Sequence, residues 1–190
     1  LNLLLYGVPG TGKTELAKAI SQKMGVPLWE VNIDMEDEEA PSPRVRRFEN
    51  RNTNLTQYRL RAITLADWHC ENHEGIILVD EADLVLNSAE KGALNRFFET
   101  LKTPVIWISN KINFVEDSTL RRFDFSMAFK PLAKDERLSV LNSVLKAQDA
   151  ADFLSEEEKL KIVVEYPAMA GGLTLAVQHA KKLVACGATT

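Results

Sequence analysis

The sequence predicts an α/β protein in which a parallel sheet flanked by helices is followed by a wholly helical part. Short apolar runs alternate with segments of helical periodicity, which is the pattern of parallel strands joined by crossover helices. A glycine-rich stretch joins the first apolar run to the first helical segment. Beyond Pro131 the pattern becomes entirely helical. We therefore predict an α/β core over residues 1–130 and a small, wholly helical part over residues 131–190.

Hydrophobic periodicity also gives the predicted elements in chain order. The predicted strands are residues 1–6, 26–33, 76–79, 105–109 and 123–129. The predicted helices are residues 13–24, 55–70, 88–101, 134–147, 155–165 and 173–186. Ser155 and Glu158 have the spacing of a capping box at the start of one of these helices. Residues 34–54 are polar and interrupted by prolines, so they are predicted to form a long, mobile connection.

Composition sets limits on the class of protein. With 190 residues and 45% hydrophobic content, the chain can bury a sizeable core. Its formal net charge of -4 disfavours general binding to nucleic acid. The apolar runs are too short to span a membrane, and two distant cysteines, Cys70 and Cys186, suit a reducing compartment. We expect a cytoplasmic protein, and because Leu1 lies inside an apolar run, part of a longer chain.

The glycine-rich stretch at residues 7–14, GVPGTGKT, satisfies the P-loop pattern between a predicted strand and a predicted helix. Its glycines allow successive backbone N–H groups to point at phosphate oxygens, and the helix start adds the positive end of its dipole. Lys13 is predicted to reach the β- and γ-phosphates, and the Thr14 hydroxyl to ligate Mg²⁺. The predicted nucleotide-binding residues are Gly7, Val8, Pro9, Gly10, Thr11, Gly12, Lys13, Thr14 and Glu15.

Polar side chains follow two of the buried apolar runs. Asp80 is predicted to hold Mg²⁺ together with Thr14, and Glu81 to orient or deprotonate the attacking water. Asn110 follows the run at residues 105–109, and the carboxyl ends of parallel strands share one sheet edge, so its amide is predicted to reach the γ-phosphate and the water. Taken alone, the acidic pair is also compatible with a solvated turn, and asparagine is a common turn residue.

Two arginines, Arg121 and Arg122, precede the last predicted strand. Guanidinium groups stabilise the charge on a transferring phosphoryl group, and an arginine supplied by a neighbouring subunit can contribute roughly 10³ to 10⁵ in rate. The pattern therefore predicts both arginines as catalytic residues. The alternative is that they form surface or internal salt bridges.

The motifs GVPGTGKT, ILVDEAD, WISN and TLRRFD occur in this order before a helical tail, and with them nearly the whole chain resembles the AAA+ ATPase family. The resemblance implies a P-loop NTPase with a five-stranded parallel sheet flanked by helices, followed by a small all-helical lid. It also implies ATP and Mg²⁺, bound at a subunit interface of a ring that is usually a hexamer. By resemblance, residues 7–14 are Walker A, Asp80 and Glu81 are Walker B, Asn110 is sensor 1, Arg122 is the arginine finger and Arg121 is a second interface arginine.

Three features depart from the family pattern. Residues 34–54 lack the aromatic–apolar–glycine triplet with which many members grip a threaded polypeptide, so threading is not predicted. Residues 171–175, GGLTL, offer no sensor 2 arginine, and the lid is expected to sense nucleotide through apolar packing alone or hardly at all. The segment that precedes the first strand in the family and helps to enclose adenine is missing, which predicts weak nucleotide affinity.

Three weaker signals have plain structural interpretations. Residues 68–73, WHCENH, contain three candidate metal ligands, but their spacing fits no established zinc pattern and favours a surface helix end. Residues 80–83 spell DEAD, the signature of helicases with two motor domains in a longer chain, so Asp83 is interpreted as a turn carboxylate. The acidic residues within 34–39 form a solvated face or a docking site for a basic partner.

Together these features predict an ATP-binding and ATP-hydrolysing AAA+ motor module. We expect it to act in a homo-oligomeric ring and to remodel an unidentified protein partner. The alternative is an ATP-dependent assembly or binding switch with little turnover. Nucleic-acid loading or unwinding is disfavoured by the acidic balance, and no membrane partner is predicted.

Overall fold

The structure, a computed structural model, describes residues 1–31, 51–87, 91–113 and 115–185, with the backbone alone at residues 51–54, 72 and 91. The described residues form two compact units. The first unit comprises the described parts of Leu1–Gly7 and Lys13–Ala128. The second comprises Val8–Gly12 and the described part of Phe129–Thr190.

A five-stranded parallel sheet forms the centre of the first unit, with the strand order β2-β3-β4-β1-β5. The strands are β1 (Asn2–Gly7), β2 (Leu28–Glu30), β3 (Ile76–Val79), β4 (Val105–Ser109) and β5 (Phe125–Phe129). Strand β4 lies between β1 and β3 and pairs with both in parallel. The carboxyl ends of these three strands therefore meet at one edge of the sheet.

Helices connect the strands and make up the rest of the described regular structure. In the first unit they are α1 (Lys13–Met24), α2 (Arg51–Asn72), α3 (Asp83–Leu86), α4 (Lys91–Thr100) and α5 (Asp117–Leu120). In the second unit they are α6 (Lys134–Ala147), a 3₁₀ turn (Ala151–Phe153), α7 (Glu156–Glu165) and α8 (Ala170–Ala185). The predicted fold class is confirmed. None of the described helices is long and apolar enough to cross a membrane.

The core of the first unit explains why β3 and β4 read as continuous apolar runs, because every residue of both strands is buried. Trp107 of β4 is fully buried, with its ring centroid 4.9 Å from that of Phe98. Phe123 contacts Phe98 edge to face at 5.2 Å. The Trp107 indole N–H donates to Asn2 Oδ1 at 3.0 Å, so its buried polar atom is paired.

The second unit has its own apolar core, formed where α6, α7 and α8 pack together. The buried residues of this core are Leu141, Leu145, Ala150, Val163, Leu173 and Val177. The predicted capping box is confirmed: the Glu158 N–H donates to Ser155 Oγ at 3.3 Å, and the Ser155 N–H donates to the Glu158 carboxylate at 2.8 Å.

Several element boundaries differ from the predicted ones. Strand β2 begins at Leu28 and not at residue 26, because the Val26 carbonyl accepts the Ser21 hydroxyl at 2.6 Å in a turn and Pro27 has no N–H to donate. Residues 32 and 33 of the predicted strand lie outside the described part. Helix α2 begins at Arg51, inside the predicted connection, whose residues 34–50 lie outside the described part. Helices α3 and α5 were not predicted, because four residues are too few to show a helical period. The predicted boundary between residues 130 and 131 stays a prediction.

Candidate nucleotide-binding site

The predicted phosphate-binding loop has the backbone that its glycines allow. Gly7, Gly10 and Gly12 have φ values of 134°, 75° and 95°, a region that residues with side chains rarely adopt. The Thr11 hydroxyl donates to the Val8 carbonyl at 2.8 Å within the loop. Chain positions that turn in this way can present successive N–H groups to an anion.

Within the second unit, this loop is in close contact with the start of α8. The Gly10 carbonyl accepts the Gly171 N–H at 3.2 Å. A Cβ atom placed on Gly10 would lie 3.3 Å from the Met169 Cβ, tighter than ordinary contacts. The stretch GGLTL at residues 171–175, which contains no arginine, therefore approaches the loop at Gly171 through its backbone and not through a long side chain.

Lys13 opens α1 and is buried. Its ammonium donates to the Gly7 carbonyl at 2.8 Å, so the side chain folds back along the loop. Burial lowers the pKa of Lys13 from its ordinary value, and the nearby carboxylates of Asp80 and Asp83 partly offset that effect. A partly desolvated cation in this position fits an anionic ligand such as a phosphate.

Thr14 and Asp80 lie side by side, as the sequence predicts for a shared ion. The Thr14 hydroxyl donates to Asp80 Oδ2 at 3.0 Å, which joins the first turn of α1 to the end of β3. Both groups are hard oxygen donors of the kind that Mg²⁺ prefers, and both are half-buried. The residues present therefore fit a magnesium–nucleotide ligand. Glu15 points elsewhere, because its carboxylate forms an exposed ion pair with Lys18 at 2.8 Å.

Glu81, the predicted residue for the attacking water, has a left-handed backbone with φ of 49°. Its N–H donates to Asp80 Oδ1 at 2.7 Å, and its carbonyl accepts a hydrogen bond from the Arg59 guanidinium on α2. Such a conformation costs roughly 1–3 kcal/mol in a residue other than glycine and is concentrated at functional sites. The contact with Arg59 was not predicted, since nothing in a sequence relates a helix position to a carbonyl 22 residues later.

Asn110 follows β4 and is half-buried at the same sheet edge as Asp80 and Glu81. Its backbone N–H donates to the carboxylate of Asp83, the first residue of α3, at 3.2 Å. The interpretation of Asp83 as only a turn carboxylate is therefore wrong, because its side chain reaches across to the end of another strand.

Arg121 and Arg122 are exposed in the turn that follows α5. The Arg122 guanidinium forms an ion pair with Glu99 on α4, at a surface position where both side chains are partly exposed. The arrangement agrees with the salt-bridge alternative for Arg122 within a single chain. A role for either arginine on a neighbour's nucleotide stays a prediction.

The end of α2 is an aromatic and histidine cluster. The His69 ring stacks on His73 with centroids 4.7 Å apart and meets the Trp29 ring edge to face at 4.5 Å. Cys70 is buried, and burial raises the pKa of its thiol. In the part of the chain that the structure describes, no group of three or more His, Cys, Asp or Glu residues could hold a metal ion.

The chain is similar to known proteins in both sequence and fold. The profile of the ATPase family associated with various cellular activities (AAA) matches residues 3–131. The chain therefore belongs to the AAA family of nucleotide-binding ATPases. The AAA domain of FIGL-1, solved in complex with ADP, has a similar fold, with a TM-score of 0.53 over 77% of this chain and 48% of that one, at 15% sequence identity.

Curated relatives of the chain include large subunits of replication factor C. The protein of Pyrobaculum calidifontis is 28% identical over 162 residues, which is 84% of this chain and 34% of the relative. The protein of Staphylothermus marinus is 28% identical over 156 residues, which is 78% of this chain and 33% of the relative. The chain thus spans about a third of the length of the curated relatives it matches.

Proposed function

We propose that this chain is an Mg²⁺-dependent ATP-hydrolysing module whose cycle remodels a partner within a multisubunit assembly. The observation that carries the proposal is the grouping at one sheet edge of Lys13, Thr14, Asp80 and Glu81, with the Thr14 hydroxyl 3.0 Å from the Asp80 carboxylate. A cation, a pair of metal-binding oxygens and a further carboxylate are the parts that phosphoryl transfer to water requires.

Each residue has a distinct role in the proposed reaction. Lys13 would exchange its bond to the Gly7 carbonyl for phosphate oxygens, and Thr14 with Asp80 would hold Mg²⁺, which neutralises charge on the phosphates when bound. Glu81 would accept the proton of the attacking water. Asn110 would donate its side-chain amide to the γ-phosphate and accept from the same water.

The names of the relatives support an assembly of several subunits. A protein named as a large subunit of replication factor C works beside other subunits, and we propose the same for this chain. In such an assembly Arg122, and Arg121 beside it, would act on the nucleotide of a neighbour. A homohexameric ring in the cytoplasm is the arrangement that the sequence alone favours.

The same names support a partner in replication and favour testing DNA, although the net charge of -4 disfavours general nucleic-acid binding. A local contact would satisfy both observations, since a few cations at one surface can hold a phosphate backbone without an overall basic charge. The ATPase activity of the chain should therefore be measured both with and without DNA.

A binding switch with little turnover is the second candidate, and the Arg122–Glu99 ion pair favours it. While Arg122 contacts Glu99 of its own chain, it is held away from any neighbour's phosphates. In this alternative ATP occupancy sets assembly, and hydrolysis is slow.

The deciding experiment measures ATPase specific activity against protein concentration, with oligomer mass read in parallel and with and without DNA. We expect activity to rise more than linearly with concentration, because the arginine is donated between subunits. Glu81→Gln should keep ATP binding and lower turnover at least about 10²-fold, and Arg122→Ala should lower it roughly 10³-fold. The exposed arginine Arg96, changed to alanine, is the matched control.

Each outcome separates the candidates. Flat specific activity together with an unaffected Arg122→Ala variant contradicts donation of the arginine between subunits. Loss of ATP binding in Glu81→Gln contradicts the assignment of Glu81 to the water. Tight ATP binding without turnover at any concentration favours the switch.

A further inference from the structure

Asp83 has a set of contacts that the proposed reaction leaves unexplained. Its Oδ1 lies 2.9 Å from the Ser109 hydroxyl and accepts the Lys111 N–H at 3.0 Å. Its Oδ2 accepts the Asn110 N–H at 3.2 Å. One carboxylate therefore binds three consecutive residues at the end of β4.

These contacts are not the local capping that an aspartate at a helix start usually provides. The residue before α3, Ala82, has no side-chain cap, and the Asp83 side chain is directed to another strand instead of to its own helix. The Ala82 N–H donates to the Ile108 carbonyl at 2.8 Å, which adds a backbone hydrogen bond between the same two segments. The segment after β3 and the end of β4 are thus fixed to each other by at least four hydrogen bonds.

The two segments joined in this way carry different parts of the proposed site. Asp80 and Glu81 precede Asp83 by three and two residues, and Asn110 is the residue whose N–H Asp83 accepts. Strand ends have backbone N–H groups that no sheet partner satisfies, and a buried or half-buried carboxylate is a strong acceptor for them. Without this acceptor, three of the four hydrogen bonds between the end of β4 and the segment that holds Glu81 would be lost, including all of those made by Asn110 and Lys111.

We propose, on the basis of the function proposed above, that Asp83 is a positioning residue that sets the separation between the Asn110 amide and the Glu81 carboxylate. Asp83 does not touch nucleotide or water in this proposal. Its effect is on the rate of the chemical step, because displacement of a reacting or stabilising group by about 1 Å can cost on the order of 10²-fold in rate.

The chain offers a matched control at the opposite end of β4. The Asp67 carboxylate accepts the Thr103 N–H at 2.8 Å and the Lys102 N–H at 3.2 Å, just before the strand begins. Asp67→Asn therefore weakens the same type of bond to the same strand, away from the candidate site. Asp83→Glu keeps the charge but moves the carboxylate by one methylene, which separates position from charge.

The test compares Asp83→Asn, Asp83→Glu and Asp67→Asn in the full chain by ATPase kinetics and by amide hydrogen exchange. We expect both Asp83 variants to lower kcat at least about tenfold with KM for ATP changed less than about threefold, and to speed exchange of the Asn110 and Lys111 amides. Asp67→Asn should leave kcat and these two amides unchanged.

Three results would overturn the proposal: wild-type kcat in Asp83→Asn, full activity in Asp83→Glu, or unchanged exchange at residues 110 and 111. If the wild type itself shows no ATPase activity above that of Glu81→Gln, the proposed function fails instead. The positioning role is then judged by exchange and by the shift of the Asn110 side-chain amide signal when a non-hydrolysable ATP analogue is added. A shift of the same size in wild type and Asp83→Asn contradicts it.

Discussion

Glu81 combines a strained backbone with a place in the candidate site. Its φ of 49° places it in the left-handed region, where a Cβ atom is crowded against the peptide. Hydrogen bonds on both sides hold it there: its N–H donates to Asp80, and its carbonyl accepts from Arg59. The surroundings therefore fix a conformation that a free glutamate avoids.

This backbone predicts an unusual order of stability. We expect Glu81→Gly to be more stable to unfolding than Glu81→Ala by about 1 kcal/mol, because only glycine adopts a positive φ without steric cost. Urea unfolding of the two variants measures the difference. At Asn142, an exposed position inside α6, the order should reverse, since alanine favours a helix interior. Equal stability of the two Glu81 variants would mean that no strain is stored there.

Candidate site residues could be proposed from the sequence, but the contacts that hold them in place could not. Thr14 and Asp80 could be predicted to share one ion, because the P-loop and an apolar strand followed by two carboxylates each have a recognisable pattern. Arg59 contacts the carbonyl of a residue in another segment, and Asp83 contacts the end of another strand. Both contacts depend on the direction in which the side chain points. No periodicity or spacing encodes that direction.

Among the helices, α7 shows how a local sequence signal controls an element. The Ser155 N–H and hydroxyl each donate to the Glu158 carboxylate at 2.8 Å. These bonds lower the pKa of Glu158 from its ordinary value, with the backbone bond the larger cause. The contribution to stability is therefore present above the pKa of the unfolded chain and is lost as the pH falls through the lower folded-state pKa.

We expect Ser155→Ala to destabilise the chain by about 1 kcal/mol at neutral pH, through loss of the helix cap. The difference from wild type should shrink in acid, as the pH falls below the ordinary pKa of glutamate and the Glu158 carboxylate becomes protonated. Chemical denaturation at the two pH values, with a carboxyl NMR titration of Glu158, measures both effects. Glu157→Gln removes a charge from the same turn but leaves the cap. In a Glu157→Gln background, the effect of Ser155→Ala on stability should therefore still shrink between neutral and acid pH. A constant Ser155→Ala effect across pH would contradict the linkage.

Elements with a strong local pattern were predicted well, and the others were not. Strands β3 and β4 were predicted with their observed bounds because burial on both faces leaves an uninterrupted apolar run. Helix α2 extends to Arg51, because a helix that has begun can continue through residues that are polar in the sequence. Helix α8 begins at Ala170 with two glycines in its first turn, although glycine has a low helix propensity. At the start of α8, the hydrogen bond from the Gly171 N–H to the Gly10 carbonyl offsets that low propensity.

In the proposed assembly, the Arg122–Glu99 ion pair would restrain the arginine that we propose as the finger. We expect Glu99→Gln to raise ATPase activity at low protein concentration by up to about fivefold, because an exposed ion pair contributes no more than about 1 kcal/mol. ATPase measurement over a concentration series tests this. Glu71→Gln, which releases Lys102 from a comparable exposed pair, is the control and should have no effect. Lower activity in Glu99→Gln would show that the pair positions Arg122 instead of restraining it.

The whole-chain fold was predictable because alternating strands and helices, the order of the motifs and the helical tail all lead to one architecture. The unit to which residues 8–12 belong was not predictable from the sequence. Val8–Gly12 groups with the helical unit through the Gly10–Gly171 hydrogen bond, whereas its sequence neighbours group with the sheet. A close backbone approach of two glycines depends on tertiary packing, which a linear pattern does not contain.

The buried indole of Trp107 gives the molecule an internal optical reporter. Of its three tryptophans, Trp29 and Trp68 are 38% and 68% exposed, whereas Trp107 is fully buried two residues before Ser109. An aqueous quencher such as iodide should therefore quench the fluorescence of Trp29 and Trp68 but not that of Trp107. With Trp29 and Trp68 replaced by phenylalanine, the remaining blue-shifted emission would come from β4 alone. Nucleotide arrival at the sheet edge could then be followed by fluorescence in real time, without an attached dye.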